Sequence, residues 1–200
     1  MNHTANAAAH HPEPYTYTGL DMWKLGFWIF LGSETLFFGT LISTYMVYAH
    51  QSVVGPYPRE VLNIPLTSVS TFVLLMSSLA MVIALDAARR GSRKGTLAAI
   101  FAVIVLGAGF IGFQAYEFTE FYHEGLTLET NLFGSSFFIL TGFHGAHVSV
   151  GVMWLIALWL DAWRGKLGPE NALRVEIAGL YWHFVDIVWI AIFTLVYLIG

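Results

Sequence analysis

The chain has 200 residues, of which 56% are hydrophobic and 11% are charged, with a formal net charge of -4 and no cysteine. Since soluble domains carry about 25% charged residues, and since 61–85, 95–116 and 130–160 contain no charged residue, the composition excludes an ordinary soluble domain and indicates a polytopic membrane protein. The lack of cysteine excludes disulfides, thiolate metal sites and iron–sulfur clusters, and the lack of a basic stripe excludes a nucleic-acid partner.

The first segment, residues 1–22, is polar and has no basic residue. Its three histidines could bind a metal, but two prolines among them leave no fixed ligand geometry, so we expect a plain polar tail. The tail is expected to precede a transmembrane domain over 23–200, whose first helix serves as its own insertion signal.

Five long apolar blocks follow in this domain. A helix needs about 20 apolar residues to cross a bilayer, and each block is far longer than a barrel strand. The sequence therefore predicts an all-α integral membrane protein, a bundle of five transmembrane helices. The predicted spans are about 24–48, 66–85, 97–117, 134–160 and 176–198.

The basic residues predict the orientation. Eight of the nine lie at the start of the first span, between the second and third, or between the fourth and fifth, and only Arg59 lies on the other side. Because basic residues favour the cytoplasmic side, the N-terminus is expected to be cytoplasmic and the C-terminus outside. The connection between the third and fourth spans, in which we place Glu117, Glu120, Glu124 and Glu129, is then an acidic outer loop.

Several spans carry ionisable residues near the middle, where each costs roughly 3 kcal/mol to insert. This set comprises Glu34, His144, His147, His183 and Asp186. All five can meet at one level if the first, fourth and fifth helices are neighbours, and three interpretations follow. They could bind a metal, they could form a proton relay or hold a polar ligand, or they could satisfy one another and fix the packing. No H-E-x-x-H or Glu-x-x-His motif favours a metal.

Four sequence blocks resemble one known family. Y-W-H-F-V-D-I-V-W at 181–189 is similar to the final helix of subunit III of haem–copper terminal oxidases, with Ile187 in place of a valine. T-G-F-H-G-A-H-V-S-V-G at 141–151 and G-S-E-T-L-F-F at 32–38 resemble its other helices, and Q-A-Y-E-F at 114–118 resembles a further block. Glu176 stands at the same offset as a glutamate of that family. These blocks cover four of the five helices in order.

The resemblance implies the five-helix bacterial form of this subunit, a multi-pass protein of the bacterial inner (plasma) membrane. It implies no catalytic residue, no metal and no redox centre in this chain, since haem and copper belong to subunits I and II. The chain is expected to pack on subunit I, to hold phospholipid and to support proton uptake while the complex reduces oxygen to water. The metal interpretation of the buried set becomes a minor one.

The resemblance also suggests roles for individual residues. Glu34 is expected to be mostly protonated at pH 7, since its apolar surroundings disfavour a charge, and to modulate proton delivery or lipid packing. The other members of the polar set are expected to fix helix packing or to interact with lipid or protons; they are Glu176, His144, His147, His183 and Asp186. Arg174 and Trp182 are expected to lie where an anionic lipid headgroup could bind.

The electron donor and the rival functions remain as alternatives. Glu34 and Y-W-H-F-V-D at 181–186 follow the cytochrome c pattern, because quinol-oxidase relatives tend to have aspartate at the first position and F-W-H-F-L-D at the second. G-A-G-F-I-G at 107–112 resembles the quinol branch instead. We favour cytochrome c. A transporter of ions or solutes is less favoured because such proteins are expected to have helices broken at mid-span, and no proline lies inside the predicted spans apart from Pro65 at an edge.

Overall fold

The computed structural model describes residues 21–49, 51, 52, 55 and 62–199. Within them, five helices are long and apolar enough to cross a membrane, which confirms the predicted all-helical membrane fold. The helices are α1 (Met22–Tyr48), α2 (Ile64–Arg89), α3 (Arg93–His123), α4 (Leu132–Trp163) and α5 (Ala172–Ile192), with a short 3₁₀ turn at Pro169–Asn171 and a final π-helical segment at Phe193–Leu198. Most of the predicted polar tail lies outside the described residues.

Polar side chains just before the predicted spans cap the helix starts, so the helices are longer than those spans. The Asp21 carboxylate accepts from the backbone N–H of Trp23 at 2.8 Å, and the Asn63 side chain accepts from that of Leu66 at 3.1 Å. Asn131 accepts from the N–H of Gly134 at 2.7 Å. Such caps satisfy N–H groups that lack a partner in the first helical turn.

A short glycine turn joins α2 to α3. Gly91 has φ 71°, a left-handed conformation that a residue with a side chain adopts only at a cost of about 1 kcal/mol or more. The backbone N–H of Gly91 donates to Ala88 O at 3.0 Å, and that of Ser92 donates to Ala87 O at 2.9 Å. This turn makes α2 and α3 antiparallel neighbours along their length.

The bundle is arranged around α5, which contacts α1, α2 and α4, while α3 packs on α2 and α4. Half of the final span is buried, but only 11% of α1 is. The buried residues of α1 are Leu31, Phe38 and Tyr45, spaced seven apart. The first helix therefore touches the bundle along one narrow stripe and leaves a groove beside α4.

Candidate functional site

The centre of the α1–α4 contact is a carboxyl–imidazole pair. Glu34 Oε2 lies 3.2 Å from His147 Nε2, and each side chain is 19% exposed. The other ring nitrogen of His147, Nδ1, lies 2.7 Å from Phe143 O. The Tyr181 hydroxyl donates to His147 O at 3.0 Å, which ties α5 to α4 at the same level.

The hydrogen bonds of this pair define its proton content. A carbonyl oxygen only accepts, so Nδ1 of His147 must carry a proton. The remaining contact needs one further proton between Nε2 and Oε2, since two bare acceptors would repel. The pair is therefore neutral overall, as a protonated Glu34 beside a neutral imidazole or as a carboxylate beside an imidazolium.

His144 lies one turn from His147 but has different surroundings. It is fully buried, stacks on Trp189 with 4.9 Å between ring centroids and meets the Phe110 ring edge-on at 5.7 Å. Neither ring nitrogen has a hydrogen-bond partner among the described residues. His144 thus fills the aromatic core, and it is not part of the Glu34 contact.

His183 and Asp186 face α2. Ser78 Oγ lies 2.6 Å from His183 Nδ1. Asp186 is 4% exposed, and its carboxyl oxygens have no hydrogen-bond partner in the described part of the chain, although Ser78 is nearby. The five mid-depth groups therefore do not meet at one level as the sequence suggested, and the described residues contain no group of three or more ligand-type side chains placed to hold a metal.

Glu176 lies in an ion-pair network at the basic end of the bundle. It contacts Lys24 of α1 through Oε1, and Arg89 of α2 donates to Oε2 at 2.8 Å. At the same end Arg93 donates to the carbonyls of Ala162, at 3.2 Å, and Trp163, the C-terminal turn of α4. The network joins the helix ends that the sequence predicts to be cytoplasmic.

Trp182 is not placed to meet a lipid headgroup, which corrects the sequence interpretation. It is 1% exposed, and its indole N–H donates to Ser77 Oγ at 2.8 Å. A Cβ atom added at Gly107 would stand 2.6 Å from its ring, and one at Gly151 would stand 2.9 Å away. Trp182 is a core residue that fits because two helices present glycine to it. Arg174, in contrast, is half exposed and donates to Asp161 at 2.6 Å.

Glu117 is a buried polar residue that the sequence interpretation placed in the outer loop. It lies inside α3 and is 6% exposed, with Thr67 Oγ1 2.6 Å from its Oε1 and the Tyr197 hydroxyl donating to Oε2 at 3.1 Å. The available signal was its place in the Q-A-Y-E-F block. The partners, Thr67 and Tyr197, carry no such signal.

An apolar groove runs between α1 and α4 and reaches α5. Its lower part, about 640 Å³, extends from Trp23 and Arg174 to Phe30 and Trp154. Its upper part, about 600 Å³, shares Phe30 and Trp154 and ends at the Glu34–His147 pair. The groove therefore joins the basic end of the bundle to the buried carboxyl–imidazole pair.

The fold and this site define a multi-pass helical membrane protein in which Glu34 and His183, at mid-depth, pair with side chains of other helices. A family model described as cytochrome c oxidase subunit III matches residues 5–200. The chain belongs to this family, the third subunits of haem–copper oxidases, which are parts of multi-subunit oxidoreductase complexes.

Individual relatives are similar over most of their length. The quinol oxidase subunit 3 of Bacillus spizizenii is 40% identical over 200 residues, which covers 100% of this chain and 98% of the relative. The cytochrome c oxidase subunit 3 of Bacillus sp. (strain PS3) is 40% identical over 176 residues, 88% of this chain and 85% of the relative. The cytochrome c oxidase subunit 3 of Alkalihalophilus pseudofirmus is 38% identical over 200 residues, covering 98% and 96%.

Proposed function

We propose that this chain supports proton uptake and holds lipid in a proton-pumping terminal oxidase of the bacterial plasma membrane. It packs on subunit I, in a complex whose haem and copper lie in subunits I and II. The observation that carries the proposal is the neutral Glu34–His147 pair at the end of an apolar groove. A proton can move between Oε2 and Nε2 without changing the net charge, which suits a site within the membrane.

Phospholipid occupies the α1–α4 groove in this proposal. The aromatic and aliphatic walls, among them Phe27, Phe30 and Trp154, suit acyl chains. Arg174 lines the groove at the basic end, half exposed, where it can reach an anionic headgroup. Trp182 is left out of the lipid site because it is buried in the core.

The N-terminus is cytoplasmic in this proposal. Lys24, Arg89, Arg93 and Arg174 all lie at one end of the bundle, where they form ion pairs or bind helix ends. Because basic residues are enriched on the cytoplasmic side of membrane proteins, we assign this end to the cytoplasm.

We propose cytochrome c as the electron donor, on the basis of Glu34 and the 181–186 block. A second candidate is a quinol, which the 107–112 block favours and which relatives matching the whole chain have in their names. The donor site lies outside this subunit in either case.

Purification through an affinity tag on this chain, in mild detergent, tests the proposal. We expect haem absorbance and partner subunits to accompany the chain, and the complex to consume oxygen with reduced cytochrome c. If the complex consumes oxygen with a quinol and not with cytochrome c, the proposed donor is wrong, while the proposed role of this subunit stands. A colourless chain without partners would contradict the role and favour a transporter.

A further inference from the structure

One face of the bundle, formed by α2 and α5, has a half-buried histidine at its centre. On α5, His183, Ile187 and Ile190 are spaced four and three apart and so share one helix face. On α2, Leu75, Ser78 and Val82 share a face in the same way. The Ser78–His183 contact joins the two stripes, which together we name the α2/α5 face.

The aliphatic residues of the α2/α5 face are uncovered. Ile187 is 64% exposed and Ile190 43%, while Leu75 is 37% and Val82 is 52% exposed. Exposed aliphatic residues in a membrane protein are ordinary, because lipid can cover them. His183 is the exception on this face, because lipid chains cannot bond to an imidazole.

The depth of His183 decides between lipid and protein. It lies eleven residues after Ala172, the first residue of α5, which is roughly 17 Å along the helix. The hydrocarbon core is about 30 Å thick, so a headgroup at either surface is too distant to reach it. Ionisable residues at this depth face protein or a water-filled cavity instead of lipid.

The Ser78 contact indicates which hydrogen bond His183 can still make. Nδ1 of the ring is occupied by Ser78 Oγ, and Nε2 has no partner among the described residues. The Ser78 hydroxyl can donate to Nδ1 or to the nearby carboxyl group of Asp186. In either case Nε2, on the side of the ring away from Ser78, is the nitrogen left to make a further hydrogen bond.

We propose that the α2/α5 face binds a transmembrane helix from another subunit of the oxidase, and that this helix presents a hydrogen-bonding side chain to His183 Nε2 at mid-depth. This inference rests on the proposed function, because it requires the complex. The inference adds to the proposed function the face of contact and the chemistry of the partner. The α1–α4 groove is left to lipid, because its mid-depth polar groups, Glu34 and His147, bond to each other.

Photocrosslinking in intact membranes tests the contact. A benzoylphenylalanine in place of Ile187 should form an adduct with another oxidase subunit on illumination. The matched control replaces Val105 of α3, which is 51% exposed and is expected to give lipid adducts. Lipid adducts alone at position 187, adducts to a second copy of this chain, or equal subunit yields at 187 and 105 would overturn the inference.

The hydrogen bond is tested separately in the assembled complex. His183→Leu removes the hydrogen-bonding group and should lower retention of the chain in detergent about three-fold, the value of one average hydrogen bond between membrane helices. His183→Gln keeps a side chain that can donate and accept, and it should restore retention. Unchanged retention with His183→Leu would overturn the hydrogen-bond part.

The two proposals fail in different ways. If the chain is purified with haem and oxidase activity but position 187 forms no adduct with another subunit, the α2/α5 contact is overturned and the proposed function stands. A chain isolated without haem or partners would overturn both.

Discussion

Replacement of Glu34 distinguishes a neutral paired acid from an essential proton carrier. Glu34→Gln keeps the length of the side chain and offers an N–H₂ donor to Nε2 of His147, which is an acceptor when the imidazole is neutral. Glu34→Ala removes the group and leaves Nε2 without a partner at the end of the groove. We therefore expect the two variants to differ.

The structure bounds the size of the effect. The contact is 3.2 Å long and both side chains are 19% exposed, so the bond is at the weak end of its class. Hydrogen bonds between membrane helices contribute about 0.6 kcal/mol on average, and a polar group left unpaired costs about 1–3 kcal/mol. Glu34→Gln should lose less than about 1 kcal/mol, and Glu34→Ala more than that.

The assay is oxygen consumption by the purified complex, followed from the first turnovers until the rate decays. Glu34→Gln should retain nearly the full initial rate, whereas Glu34→Ala should decay sooner or lose this chain from the complex. Leu36→Ala, on the exposed side of α1 and 75% exposed, is the matched control and should behave as the native chain. If Glu34→Gln abolished oxygen reduction in a fully assembled complex, Glu34 would belong to an essential proton path and the reasoning would be refuted.

Four further outcomes are expected. Gly107→Ala should lower the free energy of unfolding by about 1–3 kcal/mol, because the new Cβ would stand 2.6 Å from the Trp182 ring. The control Gly112→Ala, whose Cβ would have no atom within 4 Å, should leave it unchanged. Equal stability of the two variants in thermal unfolding of the complex would contradict the close packing. A reporter active only in the cytoplasm should work in the α2–α3 turn and be silent between α3 and α4, and the reverse pattern would invert the proposed orientation. Elemental analysis of the isolated chain should find no stoichiometric zinc, iron or manganese; a stoichiometric metal would restore the metal interpretation of the buried residues. A density map of the complex should show acyl chains in the α1–α4 groove, and a groove filled by side chains would rule out the lipid site.

The fold was accessible from the sequence because its signal is one-dimensional. Long apolar blocks require helices in a bilayer, and these blocks predict the five-helix architecture that the structure confirms. The helix ends were less accessible, since caps such as Asp21 and Asn131 lie outside the predicted spans.

The pairing of polar groups was less accessible, since it depends on how each helix is rotated. The sequence placed Glu34, His144 and His147 at a similar depth, but only His147 contacts Glu34 in the described structure, while His144 stacks on Trp189. Trp182 was misjudged because tryptophan is common at membrane surfaces, and its burial depends on glycines in two other helices.

The uneven attachment of α1 has a consequence for its motion. Its basic end is held by the contact between Lys24 and Glu176, and its middle by the Glu34–His147 pair, while only three of its residues are buried. A helix with so little buried surface separates from its neighbours more readily than α5 does. If α1 swings sideways about its anchored end, the adjacent groove widens. Exchange of the lipid proposed to lie there would then be set by the rate of this helix motion and not by unfolding of the bundle.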